Sequence, residues 1–419
     1  MQLLIKNATI LAQSQKWDKK KKDILIENGI IQKISDKITE KDALTLDYKN
    51  SYVSPGWFDL FADFSDPGYE HKEDIQSGMA CAAAGGFTEV CLLPNTNPVT
   101  STKSQVEYLQ KYSSLITIHP IGAISKQLEG KDLAEMYDMK QSGALCFSDG
   151  YKPIQSAALM LKALQYVKTF GGTLIQIPRE ASLSQHGLMN EGVNSTLLGM
   201  QGIPSIAESI LLERDINLLE YTQSKLHITG ISSEKSVKLI RNAKKQGAQL
   251  TCSVSPFHLM YTDEALLSYN SLYKVNPPFR TEKDRKALIK GVLDGTIDCI
   301  ASHHQAQDTD AKQTEFAYAQ YGMISLQTLW PMLLSSLSEL DIESLAALLY
   351  YNSRNVAGIE VPKIEVGEKA NLTLFDTHSE WPYHTETNLS KSANSPLLGH
   401  TLIGKSLAVI NNLQYRIHE

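Results

Sequence analysis

From residue 52 to residue 358, short apolar runs alternate with longer helix-like stretches, and this alternation is the strongest constraint on the fold. Runs with the length and composition of buried strands lie at 53–60, 88–93, 116–121, 144–147, 173–177, 225–228, 248–254 and 297–301. Eight strands separated by helices predict an α/β fold, a (β/α)8 TIM-type barrel. In such a barrel, binding and catalytic side chains lie at the carboxyl ends of the strands.

The two ends of the chain have a different pattern. Residues 1–51 contain short runs in which apolar and polar residues alternate, with Asn28 and Gly29 at a turn position, and short runs of this kind return after residue 358. Neither end has enough strands to be stable alone. We therefore predict that residues 1–51 and 359–419 pair into one small β-sandwich domain, beside a barrel formed by residues 52–358.

Composition excludes several classes of protein. The net charge of -6 leaves no basic surface for nucleic acid. The apolar run at residues 1–6 is too short for a signal peptide or a membrane span. The five cysteines are widely spaced and form no C-x-x-C pair, which favours buried free thiols in a reducing compartment. We expect a cytoplasmic protein that binds neither nucleic acid nor membrane.

Several motifs resemble, in order along the chain, those of the dihydroorotase branch of the amidohydrolase superfamily. They are PGWFDL at 55–60, DPGYEHKED at 66–74, AAGGFT at 83–88, LPNTNP at 93–98, VNPPFR at 275–280 and DGTIDCIA at 294–301. The resemblance extends over nearly the whole chain. It implies the barrel of that superfamily and a place in pyrimidine biosynthesis.

The resemblance also implies where a metal centre would lie. In that family, two metal ions polarise a cyclic amide and activate a bridging water, and an aspartate carries the proton. The His-x-His pair of the first strand falls here on Phe61 and Asp63. The histidines after strands five and six fall on Ile177 and Gly230, and the catalytic aspartate falls on His303. Because Phe, Ile and Gly side chains have no lone pair to offer a metal ion, we expect that the two-metal site is lost and that no cofactor is bound.

A smaller site is the alternative. Asp63, Asp149 and His303 follow the first, fourth and eighth predicted strands, at the end of the barrel where chemistry takes place. Two carboxylates and one imidazole could hold a single divalent ion such as zinc, or could act in catalysis without one. A metal-free pocket and a mononuclear site therefore both stay open.

The positions that would hold a substrate have changed as well. The family arginine that grips the substrate carboxylate is replaced by Ser65, whose hydroxyl cannot supply a two-pronged charged contact. Asn95 and Asn276 match other substrate contacts of the family. Arg179 is a new charge near the same end of the barrel, where it could either pair with Asp63 or point to solvent. We predict Asn95, Arg179 and Asn276 as substrate-binding residues.

Three functions follow from these observations. The first is a catalytically inactive dihydroorotase homologue that serves as a structural partner of aspartate carbamoyltransferase, a part that inactive members of the family are known to play. The second is an active cyclic amidohydrolase with a reduced or mononuclear site. The third is a barrel that binds a small molecule without turning it over. In each case we expect a homo-oligomer.

Overall fold

The computed structural model describes residues 2–418. Within this range the strands are β1 Gln2–Ile10, β2 Lys21–Glu27, β3 Ile30–Ser35, β4 Leu44–Asp47, β5 Tyr52–Pro55, β6 Trp57–Asp63, β7 Phe87–Leu92, β8 Thr117–Pro120, β9 Leu174–Gln176, β10 Met189–Asn190, β11 Gly202–Ile203, β12 Leu226–Ile228, β13 Leu250–Val254, β14 Cys299–Ile300, β15 His304–Gln305, β16 Leu372–Phe375, β17 Glu380–Tyr383, β18 His400–Ile403, β19 Ser406–Asn411 and β20 Gln414–Ile417.

The α-helices of the same range lie mostly between the barrel strands. They are α1 Ile75–Ala84, α2 Lys103–Gln110, α3 Met136–Gln141, α4 Ala157–Lys168, α5 Ala181–Ser184, α6 Val193–Leu197, α7 Ile206–Thr222, α8 Glu234–Lys245, α9 Pro256–Met260, α10 Glu282–Leu293, α11 Thr309–Lys312, α12 Leu329–Ser336, α13 Ile342–Tyr350 and α14 Asn352–Ala357. None of the helices in residues 2–418 combines the length and the apolar character needed to cross a bilayer.

The predicted barrel is confirmed, with parallel strands in two hydrogen-bonded groups. One group has the order β15, β6, β7, β8, and the other has the order β14, β13, β12, β9. The barrel closes between β6 and the end of β14, because Ser302 donates hydrogen bonds from its N–H and its hydroxyl to the two carboxylate oxygens of Asp59, at 2.6 and 2.7 Å. This contact fixes the residue that follows, His303, at the end of the eighth strand.

The fourth predicted strand, at 144–147, is not a regular strand. Phe147 forms isolated parallel bridges to Gly122 on one side and to Leu174 on the other. Backbone hydrogen bonds nevertheless run along both edges, from the Gly122 N–H to Cys146 O at 3.0 Å and from the Ile175 N–H to Phe147 O at 2.8 Å. The segment therefore joins the two groups of strands, although it pairs over too few residues to form a ladder.

The two ends of the chain meet in one eight-stranded sheet. Its order is β20, β19, β16, β5, β1, β2, β3, with β4 paired to β1. Strand β5, residues Tyr52–Pro55, pairs with β1 and β16 of this sheet and not with the barrel. The first barrel strand begins at Trp57, a few residues after the boundary that the sequence predicts.

A buried ion pair of the barrel is bonded to Asn371, the residue just before β16 of this sheet. Arg354 of α14 donates to a carboxylate oxygen of Glu89 on β7 at 2.6 Å, and the same oxygen accepts from the Asn371 side chain at 2.8 Å. The pKa of Glu89 is lowered well below its ordinary value because Arg354 and His119 outweigh the effect of burial. The charge of Arg354, whose side chain is fully buried, is thus balanced within the protein.

Candidate functional site

Two aromatic rings occupy the end of the barrel where the resemblance places a metal centre. Phe61, near the end of β6, and His303, after β14, are stacked with ring centroids 4.6 Å apart and planes 30° apart. Phe61 is 0% exposed and His303 is 4% exposed. Tyr151 packs edge-on against Phe61, with centroids 5.8 Å apart. The space between the first and eighth strands is therefore filled by side chains.

Gly230, which stands at the family position of a metal-binding histidine, lies against the same imidazole. A Cβ atom added at Gly230 would be 2.8 Å from Cε1 of His303, and the φ of Gly230 is +67°, a conformation that suits glycine. The loop after Gly230 is held by Glu208 of α7, which accepts from the N–H groups of Ser232 and Ser233, each at 3.1 Å. A histidine at 230 could not coexist with His303 in its present position.

His303 belongs to a chain of hydrogen bonds that runs into the barrel. Its Nε2 lies 2.8 Å from the hydroxyl of Thr229, which lies 2.8 Å from the hydroxyl of Ser253, which lies 2.9 Å from Nε2 of His227. Burial, with smaller contributions from His258 and His227, lowers the pKa of His303 to about 3. The imidazole is therefore neutral near pH 7.

Asp149 is held by the loop at residues 124–125. One carboxylate oxygen accepts from the N–H groups of Ile124 and Ser125 at 2.8 and 2.9 Å, and the other accepts from the Ser125 hydroxyl. Burial raises the pKa of Asp149 to about 6, while these hydrogen bonds act in the opposite direction. With both oxygens engaged, Asp149 ties its own loop to the loop at residues 124–125.

Asp63 does not pair with Arg179, so that suggestion from the sequence is wrong. An oxygen of Asp63 accepts from the Ser65 N–H at 2.7 Å, whereas Nη2 of Arg179 donates to the backbone oxygen of Tyr151 at 3.1 Å. Burial raises the pKa of Asp63, against the effect of the Ser65 hydrogen bond. The Asp63 carboxylate thus finds its hydrogen-bond donor in Ser65, two residues later in the chain, and makes no ion pair with Arg179.

The residues at this end of the barrel do not fit the two metal ions that the resemblance implies. The side chains at 61, 177 and 230 have no donor atoms, and His303 packs against two of these positions. Nor does the structure bring Asp63, Asp149 and His303 together as a mononuclear site. In the part of the chain that is described, residues 2–418, no three His, Cys, Asp or Glu side chains are arranged to hold a metal ion.

Several buried polar atoms nearby have no hydrogen-bond partner within the described residues. They are Asn95 Oδ1, Tyr151 Oη, Asn276 Oδ1 and Gln307 Oε1. Buried polar groups are nearly always paired, so a cluster of exceptions at the end of a barrel marks a place where a ligand or water completes the bonds. Asn95 also donates to the backbone oxygen of Asp149 at 3.3 Å, which keeps it beside the central rings.

The three predicted substrate-binding residues do not all share one cavity. Arg179 and Asn276 line an open cavity of about 630 Å³, and Asn95 is not part of its wall. The segment at 317–321, which includes Tyr321, also lines this cavity. Sequence reasoning missed the roles of Tyr151, Thr229 and Tyr321. The places of Tyr151 and Thr229 shortly after predicted strand ends could have indicated those two, whereas no pattern in the sequence pointed to Tyr321.

Comparison with known proteins agrees with this architecture. A family model described as "Dihydro-orotase-like" matches residues 51–236. A relative from Ruminiclostridium cellulolyticum named dihydroorotase is 40% identical over 97% of this chain and 96% of its own length. Another, from Acetivibrio thermocellus and also named dihydroorotase, is 41% identical over 91% of each chain.

Solved structures show the same fold at lower identity. The L-hydantoinase (dihydropyrimidinase) from Arthrobacter aurescens has a TM-score of 0.84 at 21% identity and covers 97% of this chain and 94% of its own. Dihydropyrimidinase from Brevibacillus agri has a TM-score of 0.83 at 18% identity and covers 100% of this chain and 95% of its own. Because relatives named dihydroorotase are 40 and 41% identical over more than nine-tenths of its length, the chain belongs to the dihydroorotase family.

Proposed function

We propose that the chain is a non-catalytic dihydroorotase homologue of pyrimidine biosynthesis. The observation that supports this most is the stack of Phe61 on His303, which takes up the space between the first and eighth strands. Hydrolysis of a cyclic amide needs an activated water and a group that polarises the carbonyl. Three of the positions at which the family would supply metal ligands carry Phe, Ile and Gly, and the fourth, Asp63, is bonded to Ser65.

The remaining polar groups are poor replacements for those ligands. A general base must have a free lone pair within hydrogen-bond reach of the proton it removes. Nε2 of His303 is bonded to Thr229 and one face of its ring is covered by Phe61, while both oxygens of Asp149 accept bonds from the 124–125 loop. These contacts support a structural role for both residues.

As part of the same proposal, the protein binds aspartate carbamoyltransferase and is itself a homo-oligomer. A barrel can lose its site and keep its fold, because its stability resides in the strands and helices while its chemistry resides in the loops at one end. Membership of the dihydroorotase family supports the choice of partner, because the carbamoyltransferase makes the carbamoyl-aspartate on which dihydroorotases act.

Metal analysis combined with turnover measurements tests the catalytic part. The chain and the Ruminiclostridium cellulolyticum relative are purified in parallel without chelator, with and without added zinc, and assayed with dihydroorotate and with N-carbamoyl-aspartate. We expect substoichiometric metal and background rates for this chain. One bound metal ion per chain, with turnover that Asp149→Ala abolishes, would overturn the proposal in favour of an active mononuclear amidohydrolase.

Co-expression with the carbamoyltransferase of the same organism tests the partner. We expect a complex of fixed stoichiometry on gel filtration. Two proteins that elute separately at micromolar concentration would contradict this part and leave the catalytic part standing.

A second candidate function is the binding of a small molecule. It is favoured by Arg179 and Asn276, which line one cavity, and by the buried Oδ1 atom of Asn276, which has no hydrogen-bond partner within the described residues.

A further inference from the structure

A cavity of about 520 Å³ lies at the amino ends of the barrel strands, at the opposite end of the barrel from the stacked rings. Its wall includes Thr173 just before β9, Lys225 just before β12 and residues 248–251 at the start of β13. Residues 355–359, at the end of α14 and just beyond it, form another part of the wall. The volume suits a small molecule, which would bind far from the end where barrels of this type carry their chemistry.

A second and smaller cavity, of about 250 Å³, adjoins the first, since Gly171, Lys225 and Gln249 line both. The other residues that line the smaller cavity are polar or glycine, namely Lys168, Gly172, Gln223 and Ser224. Among the described residues that line the two cavities there is no Asp or Glu. The smaller cavity therefore presents positive charge and hydrogen-bond donors to a molecule that enters it.

The lysines of these cavities have no counter-charge within the described chain. Lys168 donates to the backbone oxygen of Thr222 at 2.7 Å and makes no ion pair with a carboxylate of residues 2–418. The same is true of Lys225 and of Lys140, which lines the larger cavity. Lysine ammonium groups are common ligands of phosphate, to which they act as compact point charges. Two of them side by side in a small polar cavity favour an anion with more than one negative charge.

A buried hydroxyl in the smaller cavity points to a ligand independently of the charges. Ser224 is 2% exposed, and its Oγ atom has no hydrogen-bond partner within the described residues. Buried polar groups are nearly always paired, so a molecule in the cavity would complete this bond. A serine hydroxyl can donate to an anionic oxygen, and Ser224 directly precedes Lys225 in the chain.

The larger cavity offers a different kind of surface. Much of its wall is apolar, formed by Leu145, Leu226, Leu250, Val356 and Ile359. A molecule that carries its charge at one end and an apolar ring at the other would match both cavities at once.

We propose that the amino end of the barrel binds a small phosphate monoester with an apolar ring. The phosphate lies in the smaller cavity, held by Lys168, Lys225 and the Ser224 hydroxyl, and the ring lies in the larger cavity. The site is separate from the positions at which the family would bind metal. It does not depend on whether the opposite end of the barrel is catalytic.

Titration calorimetry with the full-length protein tests this, with phenyl phosphate as the probe. We expect saturable binding of phenyl phosphate at one site per chain, weaker binding of inorganic phosphate, which lacks the ring, and of benzoate, which has a single negative charge. Phenol, which is neutral, should not bind. Lys225→Gln and Lys168→Gln should each weaken the binding of phenyl phosphate roughly 10-fold, the usual effect of losing a charged hydrogen bond. Ala248→Phe, which fills part of the larger cavity, should lower the affinity for phenyl phosphate to that for inorganic phosphate.

The matched control is Lys33→Gln on β3, which makes the same charge change at an exposed lysine of the terminal sheet and should leave affinity unchanged. Thermal melts show which variants keep the fold, and Lys225 is exposed, so that its variant should fold. No saturable binding of phenyl phosphate to the wild type, or equal affinities for the folded Lys225→Gln and Lys33→Gln variants, overturns the inference. Benzoate that binds as tightly as phenyl phosphate overturns the choice of a phosphate, and inorganic phosphate that does so overturns the site for the ring.

Discussion

The imidazole of His303 lies on the ring of Phe61, with centroids 4.6 Å apart, although the two residues come from opposite ends of the barrel sequence. His303 has a φ of +49°, which is uncommon for a residue with a side chain. It is held there by Ser302 on one side and by its bond to Thr229 on the other. An aromatic pair thus forms a contact between the first and eighth strands.

Phe61→Ala should destabilise the protein by about 3–5 kcal/mol, because it leaves a cavity at the barrel end and removes the stack with His303. The measurement is the free energy of unfolding in urea. Tyr221→Ala is the control, because that ring is 76% exposed, and it should change stability by less than about 0.5 kcal/mol. A similar small change for both variants would show that the stack contributes little.

Gly230→Ala should lower the free energy of unfolding more than Gly171→Ala does. Both glycines have a left-handed backbone, with φ of +67° and +69°, but an added Cβ meets His303 at 2.8 Å in the first case and nothing within 4 Å in the second. The backbone strain common to both is about 1–2 kcal/mol, and we expect a further 1–3 kcal/mol, roughly, at position 230. In a His303→Ala background this excess should nearly vanish. If it persists, His303 is not its cause.

His227 should make stability depend on pH in the acid range. Both its ring nitrogens are bonded to hydroxyls, of Thr251 and Ser253, and burial lowers its pKa to about 3, with a smaller contribution from Lys244. Between about pH 3 and pH 6.5 the unfolded chain binds more protons at this residue than the folded chain does. Stability should therefore rise with pH across this window.

His227→Gln should flatten that rise, as measured by urea unfolding at several pH values between about 4 and 7. The same substitution at the exposed His400 serves as the control. NMR of the imidazole should find His227 neutral at about pH 5 in the folded protein. A charged ring at that pH would contradict the expectation.

Arg354→Met should lower the free energy of unfolding in urea by about 3–5 kcal/mol, since it leaves the buried Glu89 carboxylate without its strongest partner. Lys131→Met removes a pair with Glu129 whose side chains are exposed, and should cost less than about 1 kcal/mol. The double variant Arg354→Met/Glu89→Met should recover part of the loss. If it recovers nothing, the effect comes from the Arg354 bonds to the backbone at Gly56 and Tyr350.

Much of the fold could be predicted from local sequence, but the pairing of its shortest segments could not. Strands β7 and β13 overlap the predicted runs closely, because short apolar runs of this length are typical of buried strands. The predicted run at 53–60 is instead divided between β5 of the terminal sheet and β6 of the barrel. The segment at 144–147 has the same apolar character and yet forms only isolated bridges. Whether such a segment pairs as a ladder depends on the register of neighbours that are distant in sequence.

At the candidate site, residue identity alone determined that positions 61, 177 and 230 have no atoms with which to bind a metal ion. Only the tertiary structure decided what fills that space, that Asp63 turns to Ser65 and away from Arg179, and that Arg179 faces a cavity without a counter-charge. The physical reason is that the donor atoms of a side chain are fixed by its covalent chemistry. Its partners are fixed by packing between strands far apart in sequence, and local patterns do not encode that packing.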